Sequence, residues 1–223
     1  MGTTDPPLAF DYNGFLDFLK KYNHNFIRLW TWELVKNTSN KDGSFRYTAP
    51  SPWQRTGTGA ALDGKLKFDL NKLNQTYFDR LRERVVAAGN KGIYVSVMLF
   101  EGWGIQYVNS SWRWMGHPFN VNNNITGING DPNNDGKGLE SHTLQIPAIT
   151  KIQEAYVKKV IDTVNDLDNV LYEISNEDHG GSVQWQYYMI KLIQDYEKTK
   201  SKQHPVGMTT HAAVGMGNDI VFN

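Results

Sequence analysis

Residues 169–177, Asn-Val-Leu-Tyr-Glu-Ile-Ser-Asn-Glu, form an apolar and aromatic run that ends in a polar pair. A short run of this composition predicts a buried strand. Residues 92–100, Gly-Ile-Tyr-Val-Ser-Val-Met-Leu-Phe, predict a second strand of the same kind. Both runs stand between segments whose apolar residues have helical spacing, and this order predicts the fold.

Helices and strands alternate along the whole chain. Strands separated by helices pair in parallel through right-handed crossovers, so the predicted fold class is α/β, with a parallel sheet and helices outside it. We expect a single domain, residues 1–223, because the sequence shows no repeat and no low-complexity linker. Predicted helices cover residues 10–22, 70–88, 147–165 and 182–199; predicted strands cover residues 25–32, 92–100, 170–175, 204–210 and 219–222.

Two long polar segments, residues 33–69 and 101–145, follow predicted strands. We interpret both as loops. In a parallel α/β protein the carboxyl ends of the strands form the face where ligands bind. Loops of this length are uncommon without a functional reason, so the pattern indicates a site on this face.

One face of each predicted strand carries polar residues. Because side chains alternate along a strand, Arg28, Trp30 and Trp32 share one face of the first strand, and Glu173 and Glu177 share one face of the third. The opposite faces are aliphatic and suit packing against helices. An arginine inside a sheet needs a carboxylate partner, since an unpaired interior charge is very costly. We therefore predict that Glu173 or Glu177 pairs with Arg28.

Two motifs in these strands, Phe26-Ile-Arg-Leu-Trp30 and Tyr172-Glu-Ile-Ser-Asn-Glu177, resemble the clan A glycoside hydrolases, which are cellulase-like retaining enzymes with a (β/α)8 barrel. The resemblance implies that Glu177 is the general acid/base and that Asn176 hydrogen-bonds the sugar 2-hydroxyl. Arg28 matches an arginine that holds the nucleophile's carboxylate. The implied fold is a partial (β/α)8 TIM-barrel-like one, in which the chain covers about strands two to six.

A retaining glycosidase needs a second carboxyl group about 5 Å from the acid/base. By resemblance, the strand that carries the clan's nucleophile lies beyond residue 223. Two alternatives stay open: a partner chain supplies the carboxylate, or this chain does. The candidates within the chain are Glu101, Glu33, Glu173 and Asp178.

Aromatic residues are numerous, with seven Trp, eleven Tyr and ten Phe. Aromatic rings often hold the apolar faces of sugar rings, but they also serve simple packing. Residues 103–117 therefore predict either a sugar-stacking wall or a cluster that packs on itself. The expected substrate-binding residues are Trp30, Trp32, Trp103, Trp112, Trp114, His117, His179 and His211.

The composition argues against several classes of partner. The formal net charge is +0 and no run of Lys and Arg occurs, which argues against nucleic acid and anionic membrane surfaces. No apolar stretch approaches the roughly 20 residues of a membrane helix. Without cysteine, thiolate chemistry and disulfides are excluded. Residues 1–7 carry no signal region, so we expect no export signal within the sequence, and a secreted or periplasmic location stays open.

Residues 131–140 resemble the start of a calcium-binding loop, with Asp131, Asn133 and Asp135 at ligand positions. His142 stands where the loop requires a bidentate glutamate. An Asx-rich turn is therefore favoured over a structural calcium site, and no cofactor is expected.

Our leading hypothesis is an O-glycosyl hydrolase that acts on a β-linked polysaccharide or oligosaccharide, with Glu177 as the proton donor. The alternative is a non-catalytic carbohydrate-binding protein or an inactive barrel fragment. An incomplete parallel sheet leaves edge strands and apolar faces uncovered, so we also expect a homodimer or larger assembly.

Overall fold

The computed structural model describes residues 1–38, 44–107 and 112–209, and the structural statements below concern these residues. The helices are α1 (Tyr12–Lys21), α2 (Gln75–Gly89), α3 (Gly102–Ile105), α4 (Pro147–Val164) and α5 (Val183–Glu197). The strands are β1 (Phe26–Trp30), β2 (Lys36–Asn37), β3 (Arg46–Tyr47), β4 (Trp53–Ala60), β5 (Leu66–Leu73), β6 (Tyr94–Glu101), β7 (Val170–Asn176) and β8 (Val206–Gly207).

A four-stranded parallel sheet with the order β1-β6-β7-β8 forms the centre of the fold. Its register pairs Arg28 with Ser96 across β1 and β6, and Met98 with Glu173 across β6 and β7. A helix stands in each crossover: α2 before β6, α4 before β7 and α5 before β8. The predicted α/β fold, a parallel sheet with flanking helices, is confirmed.

The last strand of the sheet is shorter than predicted. Only Val206–Gly207 pair with β7, although a strand over residues 204–210 is predicted. His204 is diverted from the ladder because its backbone N and its ring Nδ1 each lie 2.8 Å from a carboxylate oxygen of Glu197. The predicted strand over residues 219–222 lies outside the described residues.

Local signals explain where the helices begin. Asp11 caps α1, because its side chain accepts a hydrogen bond from the backbone N of Gly14 at 2.9 Å. Pro147 occupies the first turn of α4, where a missing N–H costs no helical hydrogen bond. Helices α2, α4 and α5 bury apolar faces against the sheet, and this burial is the main stabilising contribution. The core includes Phe78, Val85, Val95, Val97, Leu99, Val157, Ile161, Trp185, Met189 and Ile193.

The segment predicted as a loop over residues 33–69 is partly strand, so that prediction is wrong. β2 and β3 form a short antiparallel pair, and β4 and β5 form a longer one. Residues 70–73, predicted as the start of a helix, belong to β5, and α2 begins at Gln75. The strands were missed because Gly, Thr and Lys interrupt the apolar pattern along residues 53–67.

The turn between β4 and β5 contains residues that favour a β-hairpin. Asp63 and Gly64 form a dipeptide that favours hairpin turns, and Gly64 has a φ of +82°, which glycine adopts without strain. Arg55 on β4 pairs with Asp63 at 2.6 Å and ties the turn to the strand. The Asp-Gly signal could therefore have identified this hairpin from the sequence.

The described parts of the second long segment, residues 101–107 and 112–145, are held by internal hydrogen bonds rather than by long elements. It contains α3 and short 3-10 helices. The side-chain amide of Asn124 donates to the carbonyl groups of Pro118, Asn120 and Ile128 at 3.0–3.1 Å. In the part of the chain that the structure describes, no helix has both the length and the apolar character to cross a membrane.

Candidate active site

Arg28 on β1 connects the polar residues at the carboxyl end of the sheet. Its Nε donates to Oε2 of Glu173 at 2.9 Å, and its Nη2 donates to Oε1 of Glu173 at 2.5 Å. The same Nη2 donates to Oδ1 of Asn176 at 3.0 Å. The prediction that a carboxylate pairs with Arg28 is confirmed, and the partner is Glu173 rather than Glu177. This forked geometry gives arginine a fixed orientation.

These side chains face an open cavity of about 590 Å³ on one face of the sheet. Its volume lies within the range of small-ligand sites. Phe26 and Arg28 on β1 are exposed on this face, whereas Ile27 between them is buried, which confirms the predicted alternation. The other lining residues include Ser96, Leu171, Glu173, Asn176, Glu177 and Thr209.

Glu177 stands at the edge of this cavity with an exposed side chain. Its φ is +46°, in the left-handed region that non-glycine residues rarely occupy. Two neighbours hold this backbone: the N of Glu177 donates to Oγ1 of Thr209 at 3.3 Å, and its carbonyl accepts from Nε2 of Gln106 at 2.7 Å. An unfavourable backbone conformation that neighbours maintain is typical of functional sites.

The carboxylates considered as a second catalytic group are all engaged. Glu173 is bound by the guanidinium described above. Glu101 is fully buried and accepts hydrogen bonds from Nδ2 of Asn176 at 3.0 Å and from the backbone N of Gly104 at 2.7 Å. Glu33 is also buried; its Oε2 accepts from the backbone N of Glu101 at 3.1 Å, and its Oε1 lies 3.6 Å from Nε2 of His117 without a hydrogen bond among the described residues. Glu101 and Glu33 are enclosed and do not reach the cavity, whereas Glu173 lines it with both carboxylate oxygens bound by Arg28.

Burial changes the ionisation of Glu101. Removal from water raises its pKa to about 7, although the hydrogen bonds from Asn176, Gly104 and Trp103 lower it, and the nearby charge of Glu33 raises it further. A carboxyl group with this pKa exists in both forms near neutral pH.

Asp178, the fourth candidate, forms a buried pair with His142. Oδ2 of Asp178 lies 2.8 Å from Nδ1 of His142, and neither side chain is exposed. The imidazole ring stacks on Trp185 with 4.4 Å between ring centroids. Burial is the largest influence and lowers the pKa of His142, but the charge and hydrogen bond of Asp178 together with the charges of Glu33 and Glu101 outweigh burial, so the pKa of His142 is raised. The pair anchors the residue that directly follows Glu177.

Three of the predicted aromatic residues form a row beside the site. Trp30 and Trp32 stack with 6.0 Å between ring centroids, and Trp32 lies 6.3 Å from Trp103. Trp30 is 45% exposed, so this end of the row is open to a ligand. Tyr107, at 5.3 Å from Trp103, extends the row.

Other predicted wall residues do not face a ligand. Trp114 and His117 are buried and stack on each other, so the prediction that they contact a sugar is wrong. The ring Nδ1 of His117 accepts from the backbone N of Phe119 at 3.0 Å, and this bond turns the imidazole into the loop. For these residues the alternative of a self-packed cluster is the correct one.

Trp112 and His179 lie apart from the row. Trp112 packs on Phe45, and Nζ of Lys36 lies 4.1 Å from the centre of the Trp112 ring. Nε2 of His179 lies 3.0 Å from the carbonyl oxygen of Leu139, and burial lowers the pKa of His179. His211 lies outside the described residues.

The calcium-like segment is an Asx-rich turn. The two carboxylate oxygens of Asp131 accept from the backbone N of Asp135 and of Gly136, at 3.1 and 3.0 Å. Asn133 likewise accepts from the backbone N of Asp135 at 2.9 Å. The oxygens that calcium would need thus serve the backbone. Among the described residues no group of three or more acidic or histidine side chains could hold a metal ion.

Sequence patterns did not identify Gln106, Thr209 and His142 as parts of this arrangement. Gln106 and Thr209 are polar residues that follow strands β6 and β8, and this position was the available signal. For His142 there was no such signal, because its pairing with Asp178 depends on how the loop folds.

Three solved structures are similar in fold to this chain over more than nine-tenths of its length. A protein from Bacteroides vulgatus ATCC 8482, described as a candidate glycoside hydrolase, is 13% identical with a TM-score of 0.55; the match covers 92% of this chain and 32% of that one. A GH5-4 broad specificity endoglucanase from Clostridium longisporum is 15% identical with a TM-score of 0.53, over 96% and 48% of the two chains. Endo-glycoceramidase II from a Rhodococcus species is 17% identical with a TM-score of 0.51, over 93% and 45%.

These comparisons define the class as an α/β fold of the kind found in TIM-barrel glycoside hydrolases. The identities are low, so the likeness shows the fold alone, and the chain spans less than half the length of each of these structures. The chain belongs to the family described as Domain of unknown function (DUF6298), whose model matches residues 45–217. No curated protein sequence matches it.

Proposed function

We propose that this protein is an O-glycosyl hydrolase of the clan A type that acts on a β-linked polysaccharide or oligosaccharide, with Glu177 as the general acid/base. One observation carries the proposal: an exposed carboxylic acid follows a parallel strand and lines a cavity beside the linked side chains of Arg28 and Asn176. A general acid must reach the glycosidic oxygen, and a side chain at the edge of an open cavity can do so.

The surroundings of Glu177 support binding of a polar ring. Arg28 is held on two sides, by Glu173 and by Asn176, so its position is fixed before any ligand arrives. Such preorganisation reduces the entropy lost on binding. Trp30 and Trp32 provide aromatic faces at the carboxyl end of β1, on which a sugar ring could stack.

A second candidate function is carbohydrate binding without hydrolysis. It is favoured by the burial of Glu101 and Glu33, which keeps both carboxyl groups away from a ligand in the cavity. A retaining mechanism needs a nucleophile about 5 Å from the acid/base. If the protein as isolated has no such group, it would bind a glycan and leave it intact.

A hydrolysis assay with a matched variant separates the two candidates. Purified protein is incubated with soluble β-glucans, xylans and mannans, and the release of reducing ends is measured beside Glu177→Gln. Asp79→Asn, a change on the exposed side of α2, is the control. The proposal predicts release that Glu177→Gln abolishes and that Asp79→Asn leaves intact. Release that is equal in Glu177→Gln would refute the role of Glu177.

Calorimetry with the same glycans tests the second candidate. Saturable binding without any product favours a binding protein, and binding should weaken on Trp30→Ala if the aromatic row is the platform. Neither binding nor product with any glycan would refute both candidates.

A further inference from the structure

The side-chain amide of Asn176 has different partners at its two ends. Its Oδ1 accepts from Nη2 of Arg28, and its Nδ2 donates to Oε1 of Glu101, both at 3.0 Å. An arginine has only donors, so the oxygen of the amide must face Arg28. The nitrogen must then face Glu101, which has to accept.

Glu101 meets only donors in this arrangement. Its Oε1 receives Nδ2 of Asn176 and the backbone N of Trp103 at 3.2 Å, and its Oε2 receives the backbone N of Gly104 at 2.7 Å. A proton on this carboxyl group would need an acceptor, and these three contacts offer none. A proton on Oε1 competes directly with Nδ2 of Asn176, and a proton on Oε2 removes the negative charge that strengthens this hydrogen bond. In either case protonation of Glu101 weakens its hold on Asn176.

Charged groups approach Glu101 from several elements. Glu33, in the segment after β1, accepts from the backbone N of Glu101, and Asp178, after β7, packs against Gly102. His142 and Arg113, from the segment between β6 and α4, interact electrostatically with Glu101, and Arg28 is linked to it through Asn176. The side chain of Glu101, which is not exposed to water, is thus influenced by two carboxylates and three basic side chains.

We propose that Glu101 is a positioning residue for Asn176, which it holds firmly while ionised and more weakly when it takes up a proton. The amide beside Glu177 is thereby oriented by a buried carboxyl group and not by the strand alone. The role assigned to Asn176 in contacting a sugar rests on the proposed function, but the coupling between the two side chains does not.

The ionisation of Glu101 falls in an accessible range, because burial raises its pKa to about 7. Glu101→Gln imitates the protonated form. The glutamine amide presents one acceptor oxygen and one NH₂ group to three donors, so it cannot satisfy all three, and it carries no charge. Asn124 offers a matched internal control, since its amide is buried and donates only to backbone carbonyls.

The coupling is measured by NMR on the full chain labelled with ¹⁵N-asparagine, without any substrate. The Asn176 side-chain resonances are assigned from their loss in Asn176→Ser and followed from about pH 5 to about pH 9. We expect them to shift with a midpoint near neutral pH, while those of Asn124 do not move. In Glu101→Gln they should be independent of pH and lie near the low-pH position of the unmodified protein.

Two results would overturn the inference: no shift of the Asn176 amide across this range, or the same shift in Glu101→Gln. If Glu101→Gln does not fold, the carboxyl carbon of ¹³C-labelled glutamate in the unmodified protein gives an independent test, because a glutamate must titrate together with the Asn176 amide. The pH profile of kcat/KM on any glycan that is cleaved should lose its neutral transition in Glu101→Gln. A coupled titration with no hydrolysis would leave this inference intact and refute the proposed function.

Discussion

Replacement of Asp178 by asparagine should reverse the way in which stability depends on pH around His142. The two side chains are fully buried and 2.8 Å apart. Oδ1 of Asp178 also accepts from the backbone N of His179 at 2.9 Å, and this N–H is always a donor. The oxygen of an asparagine at position 178 must therefore face His179. Its NH₂ group must face Nδ1 of His142, which then has to be unprotonated.

The direction of the effect follows from the folded-state pKa of His142 in the unmodified protein and in Asp178→Asn, each compared with the ordinary value of 6.5. In the unmodified protein burial lowers this pKa but the charge of Asp178 raises it above the ordinary value of 6.5. Its contribution to stability is therefore complete below about pH 6.5 and is lost as the pH rises through the folded-state value. In Asp178→Asn burial acts without that charge, so the folded-state pKa falls below 6.5. That variant loses stability as the pH falls.

The size of the effect follows from exchanging a charged hydrogen bond for a neutral one. Hydrogen bonds to charged groups contribute about 1.5–3 kcal/mol and neutral ones about 0.5–1.5 kcal/mol. We expect Asp178→Asn to lower the free energy of unfolding by about 1–2 kcal/mol near pH 6 and by less near pH 8.5. Asp178→Ala leaves both His142 and the His179 N–H unpaired and should cost about 3–5 kcal/mol.

Urea unfolding followed by tryptophan fluorescence measures these free energies. Histidines that Asp178 does not approach cancel when the two proteins are compared at each pH, and His179, whose pKa Asp178 raises, changes in the same direction as His142. Asp162→Asn, a change at an exposed position on α4, is the control and should give the same difference at every pH. A difference between Asp178→Asn and the unmodified protein that stays constant, or that grows as the pH rises, would refute the buried pair.

Three further predictions concern packing, charge and assembly. Gly116→Ala should lower the free energy of unfolding by about 1–3 kcal/mol, because the added Cβ would lie 2.1 Å from the backbone oxygen of Lys36. Gly207→Ala is the control: an added Cβ there meets open space, so the free energy should change by less than about 0.5 kcal/mol. Equal losses for the two variants in thermal unfolding would contradict the contact. A double-mutant cycle between Arg28→Met and Glu173→Gln should give a coupling free energy of about 1 kcal/mol or less, because the side chain of Arg28 is 36% exposed. Added salt should weaken this coupling. A coupling of zero at low salt would contradict the ion pair. Light scattering should show self-association through the apolar side chains exposed where β1 and β6 begin, Phe26 and Tyr94, and Tyr94→Ser should weaken it; a monomer at high concentration would contradict this.

The central sheet could be predicted because its strands differ clearly in composition from the rest of the chain. β6 and β7 are rich in aliphatic and aromatic residues and carry few polar ones, a composition that marks buried strands. β4 and β5 carry Gly, Thr and Lys at many positions, and a pattern based on apolar spacing does not detect such strands. Their pairing depends on packing against distant residues, such as the side chain of Ile125 near Gly57.

The site could be predicted only where strand geometry determines it. Alternation along β1 and β7 brought Arg28 and Glu173 to one face, and the structure pairs them. The burial of Glu101 and His117 could not be read from the sequence, because each is buried by a loop whose fold depends on tertiary contacts. Two polar residues next to a strand end look alike in a sequence whether they face a cavity or the interior.

The role of Glu177 as a proton donor is tested most directly by the leaving group of the substrate. Glu177→Gln is compared with the unmodified protein on a β-linked glycan and on an aryl β-glycoside whose phenol leaves without protonation. General acid catalysis contributes roughly 10²–10⁴-fold to rate, so the glycan should be hydrolysed slower by about that factor, while the first step on the activated glycoside should change little. An equal loss on both substrates, or no loss on either, would contradict the account.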